Sequence, residues 1–408
     1  MRINCVASLK TAARIALCAL WAVLAISCKA EKKETTAPRA DEQQPGEFAP
    51  GIAYTNYRYA DVPWSIHVVR MNRADPSLGI RTPHAAGGAG GVSRVSDQMA
   101  ALRQTGVEPL AGVNGDFYAR DRSAYAGDPR GLQIVNGDLL SAPIGGVAFW
   151  IDADGGLHLT NVMSEFKVIW PDGTSLPFGL NQARTDGAVL YTPAMGASTA
   201  TRGGTELVLE AANKGPWLPL PVGETLSARV REARPSGNTP LAPDIMVLSL
   251  PQSLAGRLPN LAAGVQLKIS TATTPLLRGV PSAISGGPVL VRNGDAQRVQ
   301  LPRNAGALSY EFRSMLERHP RSALGWNDRY FFLMQVDGRQ PDLSMGMTLD
   351  ELGKFAVKQL KVTDAMNLDG GVSATLWADG RVRNSPADHG QERDLANTVA
   401  IVRQGKAH

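Results

Sequence analysis

Cysteine is nearly missing from this chain: 408 residues hold three, Cys5, Cys18 and Cys28, all at the amino-terminal end. Everything downstream therefore lacks a disulfide, a thiolate nucleophile and a cysteine metal ligand. Histidine is scarce too, six in all with no His-x-x-x-His spacing, so nothing in the pattern supports a zinc site. Charge of one sign is not in large excess. The formal net charge of +5 falls to +2 once the leader cations Arg2, Lys10 and Arg14 are removed, and a body so near neutrality gives no reason to expect nucleic acid. The glycine run from Gly87 to Gly91 is followed by no Gly-Lys-Ser/Thr and opens no GxGxxG, so it reads as a flexible loop rather than a phosphate cradle.

What is present begins with a targeting pattern over residues 1–27. Arg2, Lys10 and Arg14 precede an apolar stretch, Ile15 to Ile26, that is too short to span a bilayer. Ala25-Ile26-Ser27-Cys28 resembles a bacterial lipobox, which predicts acylation at Cys28 and a membrane anchor. Ala25 stands where such a box has leucine, so plain secretion is the alternative. Residues 28–50 are rich in Lys, Glu, Thr, Pro and Gln and bury too little to order themselves; they read as a tether. The expected address is the bacterial cell envelope, on the periplasmic or outer surface.

Residues 51–404 are long enough for one large domain with a substantial core. Alternation predicts strands over Tyr54 to Met71, Leu78 to Arg81 and Glu108 to Val113, and a meander through Gly131 to Leu159. Ser93 is the expected N-cap of a helix carrying Val95, Met99 and Leu102 on one face. A second helix starts at the capping box Thr348-Leu349-Asp350-Glu351. Residues 160–280 offer only short β-like runs, with a helix near Pro251 to Leu258. The fold class expected is α+β: a mixed, mainly antiparallel sheet core with a few flanking helices.

One stretch stands out. Val362 to Leu368 is apolar yet carries Asn367, with Asp369 two residues on, so in a strand both polar groups leave one face. Gly370-Gly371 follows, leaving the backbone open to a ligand. A second strand is expected over Val372 to Trp377, closed by the hairpin dipeptide Asp379-Gly380. Similar polar or glycine signatures mark Asn114-Gly115-Asp116-Phe117, Ser285-Gly286-Gly287-Pro288 and Asp337-Gly338-Arg339, with Pro320-Arg321-Ser322-Ala323 at a strand start.

These motifs, in this order, resemble the phosphodiester glycosidase family over about residues 79–403. The family often has a further glycine where Val372 sits and a small residue where Asp116 sits. The resemblance implies hydrolysis of a sugar joined through its anomeric carbon to a phosphodiester, on a phosphodiester-linked glycan or glycolipid. On that reading Asp369 and Asp337 are the catalytic carboxylates, since an oxocarbenium-like transition state calls for them. Arg321 and Arg339 are expected to clamp the phosphate. Asn114, Asp116, Asn367 and Ser373 are expected to hold the substrate, with Gly286, Gly287, Gly370 and Gly371 giving backbone access and an anion nest. His67 and His158 read as structural, and His319 and His389 as rim residues. No cofactor is assigned; a divalent cation on Asp116, Asp337 or Asp369 stays open, as do two other functions, a metal-dependent phosphodiesterase and a non-catalytic glycan-binding surface lipoprotein.

Overall fold

The computed structural model describes residues 41–42, 46–85, 88–120, 123–213, 215–299 and 310–404; the expected leader, Cys28 and most of the tether lie outside these described residues. Ile52–Tyr59 and Trp64–Asn72 pair antiparallel with Ile52 opposite Met71, as their alternation requires. Trp64–Asn72 pairs on with Tyr330–Val336, that strand with Arg321–Trp326, and that one with Asp364–Asn367, all antiparallel, forming the middle of a nine-stranded sheet. A five-stranded sheet runs in the order Arg381–Val382, Leu376–Ala378, Glu108–Asn114, Thr398–Arg403, Leu78–Arg81. A third, six-stranded sheet holds Ile144–Ile151 paired with Leu157–Ser164. The expected meander is broken there, because Ser282–Ser285 inserts between Gln133–Val135 and Ile144–Ile151.

The three sheets share one core. Val113, Leu376 and Val399 from the five-stranded sheet meet Leu324 and Leu333 from the nine-stranded one and Phe149 and Ile284 from the third. The other face of the nine-stranded sheet is covered by helix Leu349–Leu360, whose Leu352, Phe355 and Ala356 pack on Ile66, Phe332 and Met334. Its start is the expected capping box: Thr348 Oγ1 accepts from the Glu351 N–H at 3.1 Å and Glu351 Oε2 accepts from the Thr348 N–H at 2.9 Å. It ends at Lys361 in a left-handed turn that feeds straight into Asp364–Asn367.

The uninformative middle is the surprise. Seven strands between Lys167 and Ser270 close into a barrel, with one parallel pair, Ser175–Leu180 against Ala188–Tyr191. With so few helices the molecule is β-rich, mainly antiparallel, rather than a balanced α+β fold. Two local expectations also change. Arg94, not Ser93, occupies the N-cap of helix Val95–Gln104, because the Ser93 backbone is pulled into a bridge with Leu395. Gly371–Ser373 turns as a 3₁₀ segment, so the strand after the glycines is only Leu376–Ala378.

Candidate active site

The five polar motifs meet. Asn114, at the end of its strand, donates through Nδ2 to the Asp369 carbonyl at 2.7 Å, and its Oδ1 accepts from the Ser322 hydroxyl at 2.5 Å and the Thr375 N–H at 3.1 Å. The Asp369 N–H donates to the Gly115 carbonyl, and the Leu368 N–H to the Ser322 carbonyl. Asn367 donates through Nδ2 to the Gly287 carbonyl at 3.0 Å, while its own carbonyl accepts from the Gly287 N–H at 2.7 Å. Gly286 is required by this closeness: a Cβ there would lie 2.6 Å from Met366 Cε and 2.7 Å from the Asn367 carbonyl oxygen.

Two carboxylates are buried where these segments join. Burial pushes Asp116 up to about 7, the negative charge of Asp369 adding to that and the Phe117 N–H and Arg130 opposing it. Asp369 is also raised, chiefly by burial, against the Ser373 hydroxyl, Arg120, the Gly370 N–H and Arg393. Asp116 is held in place by Asn397, whose Oδ1 accepts the Asp116 N–H at 2.9 Å and whose Nδ2 donates to Gln133 at 2.8 Å. Among the described residues, Asp369 Oδ2 and Asn367 Oδ1 are buried acceptors with no hydrogen-bond partner, an arrangement that costs stability unless a ligand supplies donors. Asp116, Ser285, Gly286, Gly287, Asn367 and Arg321 line a cavity of about 350 Å³ beside the pair.

The family model for phosphodiester glycosidases matches residues 228–402. Over those residues the chain is similar to the phosphodiester glycosidase family. A 118-residue stretch is 31% identical to the bovine N-acetylglucosamine-1-phosphodiester alpha-N-acetylglucosaminidase, covering 29% of this chain and 21% of that protein. The human protein of that name is likewise 31% identical over 118 residues, 22% of its length. The match thus spans about a fifth of these relatives. The chain shares its fold with a Synechocystis protein (TM-score 0.68, 19% identity, covering 90% of this chain and 64% of that one). A Burkholderia pseudomallei protein is similar (TM-score 0.63, 22% identity, covering 85% and 74%).

Not every residue expected of a phosphodiester glycosidase site faces the cavity. Asn114 is spent on holding the motifs together. Arg321 does border the cavity, but its Nε donates to the Met347 carbonyl at 2.8 Å and its Nη2 to the Ser314 and Glu317 carbonyls. The Gly370 and Gly371 N–H groups, expected as an anion nest, are taken by Asp369 Oδ1 and the Pro320 carbonyl, each at 2.9 Å. Their glycine character has another cause: a Cβ on Gly370 would meet the Pro320 oxygen at 2.7 Å, and Gly371 sits at φ +63 beneath Arg339. Arg339 is exposed and donates to His319 Nδ1 at 3.4 Å.

Asp337 is 1% exposed, and its oxygens are consumed by His67 Nε2 at 2.8 Å and the Ser385 N–H at 2.9 Å. Burial would raise it, but the bond and charge of His67, with Ser65 and Ser385, prevail and hold it below the usual carboxylate range. That fits the structural part expected of His67; His158 likewise stacks on Trp150 and bonds Asp152 at 2.6 Å. No group of three or more His, Cys, Asp or Glu is placed to hold a metal ion among the described residues. No sequence motif marks Asn397, Arg120 or Arg393, and the two arginines are singled out only by their effect on the charge of Asp369.

Proposed function

We propose that the protein hydrolyses glycosyl phosphodiesters at the anomeric C–O bond, and that Asp116 and Asp369, rather than Asp337 and Asp369, are its catalytic pair. The observation that carries this reading is the pair of buried carboxylates, both pushed up in pKa, with Asp116 on the wall of a cavity that Ser285, Gly286, Gly287, Arg321 and Asn367 also line. Asp369 has Arg120 and Arg393 to favour its charge, whereas Asp116 is raised partly by Asp369 itself, and on this reading Asp116 serves as the acid and Asp369 as the base. Asp369 takes a proton from water as its oxygen bonds the anomeric carbon. The C–O bond breaks with its electrons going to the phosphate, and Asp116 protonates that departing oxygen. Sugar and a phosphomonoester result.

The substrate belongs to the cell envelope on this reading, because the expected leader, residues 1–27, is followed by Cys28, a candidate acylation site that would tether the enzyme to a membrane. Hydrolysis of a panel of sugar-1-phosphodiesters in ¹⁸O water tests the reaction. The label belongs in the released sugar; label in the phosphate would mean that the P–O bond is broken instead, and the reading fails.

A further inference from the structure

A second cavity, of about 380 Å³, adjoins the first and is lined by Arg94, Tyr118, Ala119, Arg120, Glu392 and Arg393 among others. Arg120 is the residue common to the two linings: Asp116, Asn367 and Gly286–Gly287 border only the first cavity, Tyr118 and Arg393 only the second. Arg120 thus stands between the two cavities, Arg393 lies on the wall of the second, and both are near enough to Asp369 to favour its charge. Tyr118 steadies this wall, its hydroxyl donating to the Asp394 carbonyl at 2.8 Å. Among the described residues, no carboxylate forms an ion pair with Arg120 or Arg393.

Resting on the proposed function, we infer that Arg120 and Arg393 hold the phosphate of the diester, with its sugar in the first cavity and the group on its other side in the second. Planar guanidinium forks suit a phosphodiester, and a phosphate here has its scissile oxygen beside the carboxylates. The second cavity also fixes the class of that group. Its wall carries Arg94, Arg120 and Arg393 together with Asp388, Glu392 and Asp394. Drying six charged side chains against an alkyl chain is costly, so the site takes a polar, hydroxyl-bearing group such as a polyol or a second sugar, not a lipid.

The test uses the full chain, with Arg120→Ala, Arg393→Ala and the double variant, on sugar-1-phosphodiesters bearing a glyceryl or a decyl group. Each single variant is expected to lose about tenfold in kcat/KM and to weaken inhibition by inorganic phosphate by a similar factor. The acidic limb of the pH profile should move upward, since Asp369 loses a favourable charge; a merely structural arginine moves neither. The glyceryl diester should be the better substrate by at least about tenfold, which is a difference of about 1.4 kcal/mol. Unchanged phosphate inhibition in an active double variant, or preference for the decyl diester, overturns the inference. If the wild type releases sugar from none of the panel, the proposed function falls, and calorimetry with inorganic phosphate on the same variants still decides the arginine pair.

Discussion

Asp116 and Asp337 are both buried aspartates at the ends of strands, yet their surroundings drive them in opposite directions. Asp116 rises from 3.8 to about 7 in the fold. Between those values the folded protein keeps a proton that the unfolded chain gives up, so stability falls as pH rises through that window, and the whole cost is present above pH 7. Asp116→Asn keeps the shape without the charge. It should be more stable than wild type at pH 8 by on the order of 2–4 kcal/mol, the gap closing as pH falls toward 4, while turnover drops by 10²-fold or more. Equal melting temperatures at pH 8 would show that Asp116 does not carry that cost. Asp337, held low, contributes stability present above its unfolded pKa and lost as pH falls through its folded one. Asp337→Asn breaks a buried pair with His67 and should cost about 3–5 kcal/mol, with kcat well below the melting range little changed. A hundredfold loss of kcat in folded Asp337→Asn protein would restore it to the catalytic pair. Sequence could not separate the two aspartates, because what decides between them is His67, 270 positions from Asp337, and, for Asp116, burial together with the charge of Asp369 on a distant strand end.

At the scale of elements, local rules were legible and contacts were not. The capping box at Thr348 and the hairpin Asp379-Gly380, with φ of 52 and 81, depend on a few adjacent residues and can be read directly. The N-cap at Ser93 failed because distant Leu395 takes its backbone groups, and the strand at Val372 failed because Pro320 holds the Gly371 N–H while the Ser373 and Ala374 N–H groups turn back onto the Gly370 and Gly371 carbonyls. The Gly-Gly-Pro interruption was readable as a close approach, though not what approaches. Gly286→Ala tests how much the site depends on it. The added methyl presses on Met366 and on the backbone of Asn367, which cannot swing away. A stability loss of about 1–3 kcal/mol is expected, with kcat/KM reduced at least about tenfold by displacement of Asn367. Gly187, exposed and with nothing within 4 Å of an added Cβ, is the control and should tolerate alanine. A Gly286→Ala enzyme with native kcat/KM would mean that the Asn367 carboxamide is not held by this contact.

The whole molecule was least legible in residues 160–280, where short runs gave no period long enough to name an architecture. Barrel closure joins Lys167–Ile169 to Gln266–Ser270, a pairing across about a hundred residues that no local pattern encodes. The barrel is not packed on its own. Its Leu207, Leu248 and Ile269 belong to one apolar cluster with Leu132, Ile134 and Ala283 of the six-stranded sheet. Ala283 lies on the strand that ends at Ser285, on the cavity wall. Loss of barrel packing should therefore reach the active site through that strand. Leu248 is fully buried, and Leu248→Ala is expected to cost about 2–5 kcal/mol. In urea, activity and tryptophan fluorescence should fall together at a lower midpoint than in wild type, since Trp170 and Trp217 report on the same cluster. If fluorescence shifts to lower urea while activity keeps its wild-type midpoint, the barrel unfolds separately and the shared cluster does not couple it to the site.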